Sequence, residues 1–183
     1  MNLLKFPHFV LIFFLTLNVN AQNTKATKGS MDPEKSIIRN AKDSGNHDFL
    51  LAAVKVSNLE TILDTSGPFT VFAPNDISFD AGTREKVSEL VRVKNKEELQ
   101  SLIGYHIIAG NLSASKILRA LCSGEGKTVF TTITGDILTA TIKGLDIILT
   151  DKEGNQSVIT KADANQRNGV IHIIDSIRKP IKA

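Results

Sequence analysis

Four histidines, one cysteine and scattered carboxylates and serines are the side chains of this 183-residue chain with chemistry in reach. A zinc site needs three or four nitrogen, sulfur or oxygen ligands in convergent positions. His106 and His172, with Asp163 or Asp175, would be the material for one. No His-x-x-x-His or paired-cysteine spacing organises them. His8 falls in an N-terminal apolar run, and His47 stands near a helix start. His106 and His172 are therefore read as structural histidines, each hydrogen-bonded in place. Covalent catalysis needs a nucleophile beside a base. Cys122 lies in Leu121-Cys122-Ser123-Gly124, which matches no thiol-enzyme pattern, and Gly-x-Ser-x-Gly does not occur. The expectation is a protein that is not an enzyme and that uses no cofactor and no metal. As the single cysteine, Cys122 has no internal disulfide partner, and it is expected as a small buried apolar residue.

The elements that would position these side chains follow from patterning. Phe9 to Leu17 is almost continuously apolar, Lys5 is the one charge before it, and Val19-Asn20-Ala21 supplies small residues. Residues 1–21 are expected as a secretory signal peptide, since the apolar run falls short of the roughly 20 residues that span a bilayer. The net charge is +3 for the whole chain and +2 without that segment. Neither the charge nor any basic block suits nucleic acid. Residues 22–45 read as a flexible leader, with a short helix from Pro33 to Ala41.

Residues 46–180 form the expected folded domain. Asn46 stands as an N-cap before Phe49, Ala52, Ala53 and Val56 at helical spacing. Asn58 would cap a helix over Leu59–Leu63. Thr65-Ser66-Gly67-Pro68 turns the chain into a strand at Phe69–Phe72, which Pro74 ends. Asn75 would cap the turn that carries Ile77 and Phe79. Helices are expected over residues 84–91, after an Asn95/Glu98 capping box and ending at Gly104, and from Ala114 to Leu121. Short strands rich in Val, Ile and Thr follow at Thr128–Ile133, Ile137–Ile142, Leu145–Thr150, Ser157–Thr160 and Val170–Asp175, divided by Gly-containing turns. Helices first and strands later is an α+β order, with the strands as an antiparallel meander.

Two segments in this frame are distinctive. One is Phe69-Thr70-Val71-Phe72-Ala73-Pro74, preceded by Gly67-Pro68. The other is Asn168-Gly169-Val170-Ile171-His172-Ile173-Ile174-Asp175. In this order, with Tyr105-His106 and Gly110 between them, they resemble the signature segments of fasciclin-type domains. The resemblance runs from about Asn46 to Pro180. It implies a compact wedge of antiparallel strands with several helices packed at one end, and a secreted, non-catalytic module for cell adhesion or for binding extracellular protein or polysaccharide. It implies a periplasmic, extracellular or cell-surface location if the source is bacterial. The strands at 69–72 and 170–175 are expected to lie together, with Val170, His172 and Ile174 on one face and Ile171, Ile173 and Asp175 on the other.

The same resemblance implies contact residues. Tyr105 and His106 match the Tyr-His segment that animal relatives use in integrin-mediated adhesion; packing in the core is the other reading of this pair. Asp163 matches the Asp of an adhesive Asp-Ile pair, although Ala164 stands where that pattern has Ile. Exposed apolar residues at a strand edge would serve partner contact or self-association. The alternative function is binding of an apolar small molecule, a carotenoid or lipid, in a helix-lined groove. Asn111-Leu112-Ser113 and Asn155-Gln156-Ser157 have the form of glycosylation sequons, relevant only in a eukaryotic secretory pathway.

Overall fold

The computed structural model describes residues 31–176. The expected signal peptide, residues 22–30 of the leader, His8 and Pro180 lie outside the described residues.

Helix α1 (Ile37–Ser44) is capped by Ser36, whose Oγ accepts from the Arg39 amide, and it ends at Gly45 with φ 63°. It starts four residues later than Pro33 suggested and runs past Ala41. Ile37, Ile38 and Ala41 are buried, so this part of the expected leader belongs to the packed body. Helix α2 (Asp48–Val56) follows, with His47 rather than Asn46 at its N-cap position. Its first amides are satisfied from a distance: Asp76 accepts from the amides of Asp48 and Phe49 at 2.9 and 3.1 Å. Helix α3 (Glu60–Thr65) starts after Asn58, which bends the chain with φ 59° and does not cap. A 3-10 turn (Asp76–Ser78) carries Ile77, but Asn75 places no side-chain bond on it. Helix α4 (Ala81–Arg92) begins earlier than expected because Asp80 caps it, accepting from the Thr83 amide at 2.9 Å. Helix α5 (Lys96–Gly104) is capped by Asn95 as expected: Oδ1 accepts from the Glu98 amide at 3.2 Å and Nδ2 donates to the Glu98 carboxylate at 2.8 Å, while the Asn95 backbone amide donates to the Leu90 carbonyl instead of closing a full capping box. Helix α6 (Ala114–Ser123) is capped by Ser113.

Seven strands make one sheet: β1 (Phe69–Pro74), β2 (Ile107–Ala109), β3 (Lys127–Thr131), β4 (Ile137–Lys143), β5 (Asp146–Thr150), β6 (Gln156–Gln166) and β7 (Gly169–Ile174). The spatial order is β2-β1-β7-β6-β5-β4-β3. β3 to β7 are the expected antiparallel meander. β1 and β7 are direct neighbours, as expected, but they pair in parallel, in register from Phe69↔Gly169 to Pro74↔Ile174. The sheet is therefore mixed. A chain that leaves β1 through the helices and returns only at its end can insert β7 in either sense, and sequence spacing does not distinguish the two. The Ile133 amide donates to the Ile107 carbonyl at 2.9 Å, so the sheet's two ends meet and the wedge nearly closes.

The sheet has a core on each face. Val71, Ala73, Ile171 and Ile173 face the helical layer of Leu50, Val54, Leu99 and Ile103. Phe72 and Ile174 face a second cluster with Ile117 and Leu121 of α6 and Leu138, Ala140 and Leu149 of the meander. Every residue of β7 is buried, the expected mark of a covered central strand.

Candidate functional site

The signature residues meet where β1, β7 and the start of α6 converge. Asn168 ends the turn into β7, and its amide ties three segments together. Nδ2 donates to the carbonyls of Leu63 at 2.9 Å and Ser66 at 2.7 Å, while Oδ1 accepts from the Ile37 amide at 3.0 Å. Its own carbonyl accepts from the Phe69 amide at 3.0 Å. Gly169 is required by contact: a Cβ there would stand 1.9 Å from the Phe69 carbonyl oxygen. Asn-Gly thus seats β7 against the first residue of β1.

Four residues further along the chain the same two strands hold a loop. Thr70, fully buried, donates through Oγ1 to the Gly110 carbonyl at 2.7 Å and accepts from the Leu112 amide at 2.9 Å. His172, also fully buried, donates through Nε2 to the Leu112 carbonyl at 2.7 Å, because a carbonyl can only accept. Its Nδ1 then accepts from the Asp163 amide at 3.2 Å, which sets the neutral tautomer. Burial pushes the His172 pKa below the ordinary imidazole value, against the opposing pull of the Leu112 carbonyl and the Asp163 charge. The ring stacks on Phe72 with centroids 5.6 Å apart.

Asp163 owes its place to two register shifts in β6, between Ile159 and Lys161 and between Lys161 and Ala164. Its backbone is left-handed, φ 57°, which turns the amide toward His172. Its exposed carboxylate accepts from the Ala114 amide at 2.7 Å, at the start of α6. Thr70, His172 and Asp163 therefore clamp residues 110–114. Asp175 closes the far end of the β6–β7 pair, accepting from the Val158 amide at 2.8 Å.

The expected contact residues separate in space. Asp163 is exposed, whereas Tyr105 and His106 are only 5% and 7% exposed. Tyr105 packs with Phe72, Ile108 and Leu138, and burial pushes its phenol pKa well up. His106 donates through Nδ1 to the Leu102 carbonyl at 2.9 Å, and its own carbonyl accepts from the Phe72 amide at 2.9 Å. Both side chains lie inside, where α5 passes into β2. Cys122 is exposed on the last turn of α6, contrary to the buried residue expected; α6 is amphipathic, and Cys122 follows the core-facing Leu121. Among the described residues no three His, Cys, Asp or Glu side chains gather as metal ligands, and His172 spends both ring nitrogens inside the protein.

Sequence reasoning missed an open groove of about 480 Å³ beside the β6 bulge. Asn46, His47 and Asn75 form one wall, and Lys161, Asp163 and Asn165 the other. Neither Asn46 nor Asn75 performs the cap role expected of it. The bulge that places Lys161 to Asn165 interrupts β6 without any Gly or Pro to announce it.

A model of the fasciclin domain matches residues 45–180. Protein sll1483 of Synechocystis is 29% identical over 164 residues, 90% of this chain and 84% of that protein. The transforming growth factor-beta-induced protein ig-h3 of Sus scrofa is 31% identical over 136 residues, 73% of this chain but 18% of its own length. In fold, the chain is similar to a FAS1 domain pair from the insect cell adhesion molecule fasciclin I, with a TM-score of 0.69 at 14% identity over 80% of this chain and 51% of that one. With the Phe-Thr-Val-Phe-Ala-Pro strand set in parallel beside Asn-Gly-Val-Ile-His, the chain belongs to the fasciclin domain family.

Proposed function

We propose that this chain is an exported, non-catalytic binding module that attaches to an extracellular protein or polysaccharide, at a cell surface or in an envelope. One observation carries the reading. The signature polar side chains Thr70, Asn168 and His172 are consumed in holding the fold, while the surface beside them keeps an open polar groove that ends on Asp163. Catalysis would need a nucleophile held free beside a base, and the two hydroxyls that line the groove, Ser44 and Thr160, each donate to a backbone carbonyl.

An apolar ligand such as a pigment or lipid is served poorly by this interior. The enclosed apolar cavities near His47 and Phe79 measure about 20 and 10 Å³, room for a single water at most. The expected preparation is colourless.

The test is attachment of the purified protein to native envelope or biofilm material. Saturable retention supports the reading, together with inactivity toward ester and glycoside substrates. Turnover abolished by Cys122→Ala or His172→Ala in a protein that still folds would overturn it, and so would retention no greater than that of an unrelated protein of similar charge.

A further inference from the structure

The groove beside the β6 bulge contains side chains that the fold does not use. Asn46, Asn75 and Asn165 reach into it from three separate segments, and none of their side-chain amides hydrogen-bonds to another described residue. Each offers a carbonyl acceptor beside an NH₂ donor. Lys161 adds a cation and Asp163 a carboxylate oxygen. Beneath them lies His47, only 2% exposed. Its Nδ1 donates to the Pro74 carbonyl at 2.8 Å, so the neutral ring keeps its lone pair on Nε2. That nitrogen has no hydrogen bond among the described residues, and the ring lines the groove. Nε2 keeps contact with solvent through the groove, so a donor from a ligand can reach it.

The donor and acceptor pattern selects the ligand. Side-chain amides paired with a single carboxylate match groups that donate and accept at once, which is the behaviour of sugar hydroxyls. A polyanion is disfavoured, because Lys161 is opposed by Asp163. An extended peptide adding to a sheet is disfavoured too: β5 covers β6 only as far as Val158, but the two register shifts between Ile159 and Ala164 break the regular backbone spacing that an added strand needs. The volume of about 480 Å³ falls in the range of small-ligand sites.

We propose that this groove is a saccharide subsite: neighbouring hydroxyls of a polysaccharide chain bond to the amides of Asn46, Asn75 and Asn165, and one hydroxyl donates to His47 Nε2. The proposal rests on the binding-module reading and names its ligand class and location. No aromatic ring lines the groove to stack on a sugar face, so binding depends on hydrogen bonds and is weak at a single subsite.

The experiment is a ¹⁵N–¹H titration of the full exported chain with the uncharged saccharides cellotriose, N-acetylchitotriose and maltotriose, each to about 20 mM, which reaches millimolar dissociation constants. A gelatin digest is the peptide arm. The expected result is shifts at residues 46, 47, 75 and 161–165 with at least one saccharide, including the His47 Nε2 resonance. Asn165→Ala and Asn75→Ala should each weaken binding by up to about tenfold, the weight of one neutral hydrogen bond, with the rest of the spectrum unchanged. Shifts confined to other residues would overturn the proposal, as would groove shifts with peptide alone. Silence with every saccharide in a protein still retained by envelope material overturns the subsite and leaves the module reading standing. Silence together with loss of retention removes both.

Discussion

His172→Phe separates the hydrogen bonding of the buried histidine from its volume. The ring keeps its contact with Phe72, 5.6 Å away, so no large cavity opens. Two hydrogen bonds disappear, at 2.7 Å to the Leu112 carbonyl and at 3.2 Å from the Asp163 amide. Each contributes about 1 kcal/mol, and each orphaned backbone group adds a desolvation cost of similar size. The expected loss is about 2–4 kcal/mol at neutral pH. Urea denaturation followed by circular dichroism is the assay, since the chain has no Trp. The loss also depends on pH. Burial holds the His172 pKa below its ordinary 6.5, so the unfolded chain takes up the proton first as pH falls. The stabilisation from neutral His172 is complete above about 6.5 and declines below it, by at most about 1.4 kcal/mol per pH unit for one proton. The gap between the parent protein and His172→Phe should therefore narrow in acid. Amide exchange at Leu112 and Ala114 should quicken in the variant, because the clamp on that loop has lost its centre. A loss under about 1 kcal/mol, or a gap that widens in acid, would refute the assignment.

Asn168→Ala removes three side-chain hydrogen bonds and strands the amide of buried Ile37, for an expected cost of about 3 kcal/mol by chemical denaturation. Gly169→Ala must drive β7 off β1 at its first rung, because the new Cβ would stand 1.9 Å from the Phe69 oxygen; a loss of about 3 kcal/mol or more is expected, and an unchanged midpoint would contradict the register. Tyr105 is the only tyrosine, so tyrosinate absorbance reports it alone. Burial first, then the charges of Asp151, Glu153 and Asp136, raise its pKa, so the unfolded chain ionises first and stability falls as pH rises past the ordinary value of about 10. Tyrosinate should appear only together with alkaline unfolding; ionisation near pH 10 with the fold intact would place the ring at the surface. Cys122 is exposed and should react with a thiol reagent without denaturant, whereas protection until unfolding would return it to the core.

Much of the local chemistry was readable in the sequence, although the Ser36 and Asp80 caps were not. The Asn95/Glu98 pair, the Ser113 start of α6 and the Gly-containing turns between strands each signal their element directly. The apolar residues on both faces of β7 announced a strand covered on both faces. What could not be read depends on distant partners. α2 is capped by Asp76, 28 residues from Asp48, so Asn46 looked like the cap. β2 has three residues, too few for a period, and it exists because β1 offers it a register. The parallel sense of β1 and β7 leaves no local trace. The groove was hidden for the same reason, since its walls come from the approach to α2, the exit of β1 and an unannounced bulge.

The division of labour among polar residues places specificity away from the signature. Thr70, Asn168 and His172 have their bonding capacity filled by backbone groups at 2.7–3.2 Å, so a change at any of them is felt first as lost stability. Such residues mark a fold and leave its ligand unspecified. The side chains of Asn46 and Asn165 bond to no other described residue, so under the saccharide proposal they can vary at little cost to the wedge and change what the groove would accept. Asp163 stands on the boundary. Its backbone amide is committed to His172 and its carboxylate to the start of α6, yet the residue remains exposed at the end of the groove. A ligand that draws on that carboxylate would compete with the Ala114 amide, so occupancy of the groove would be felt at the 110–114 loop through the same clamp that holds the two signature strands.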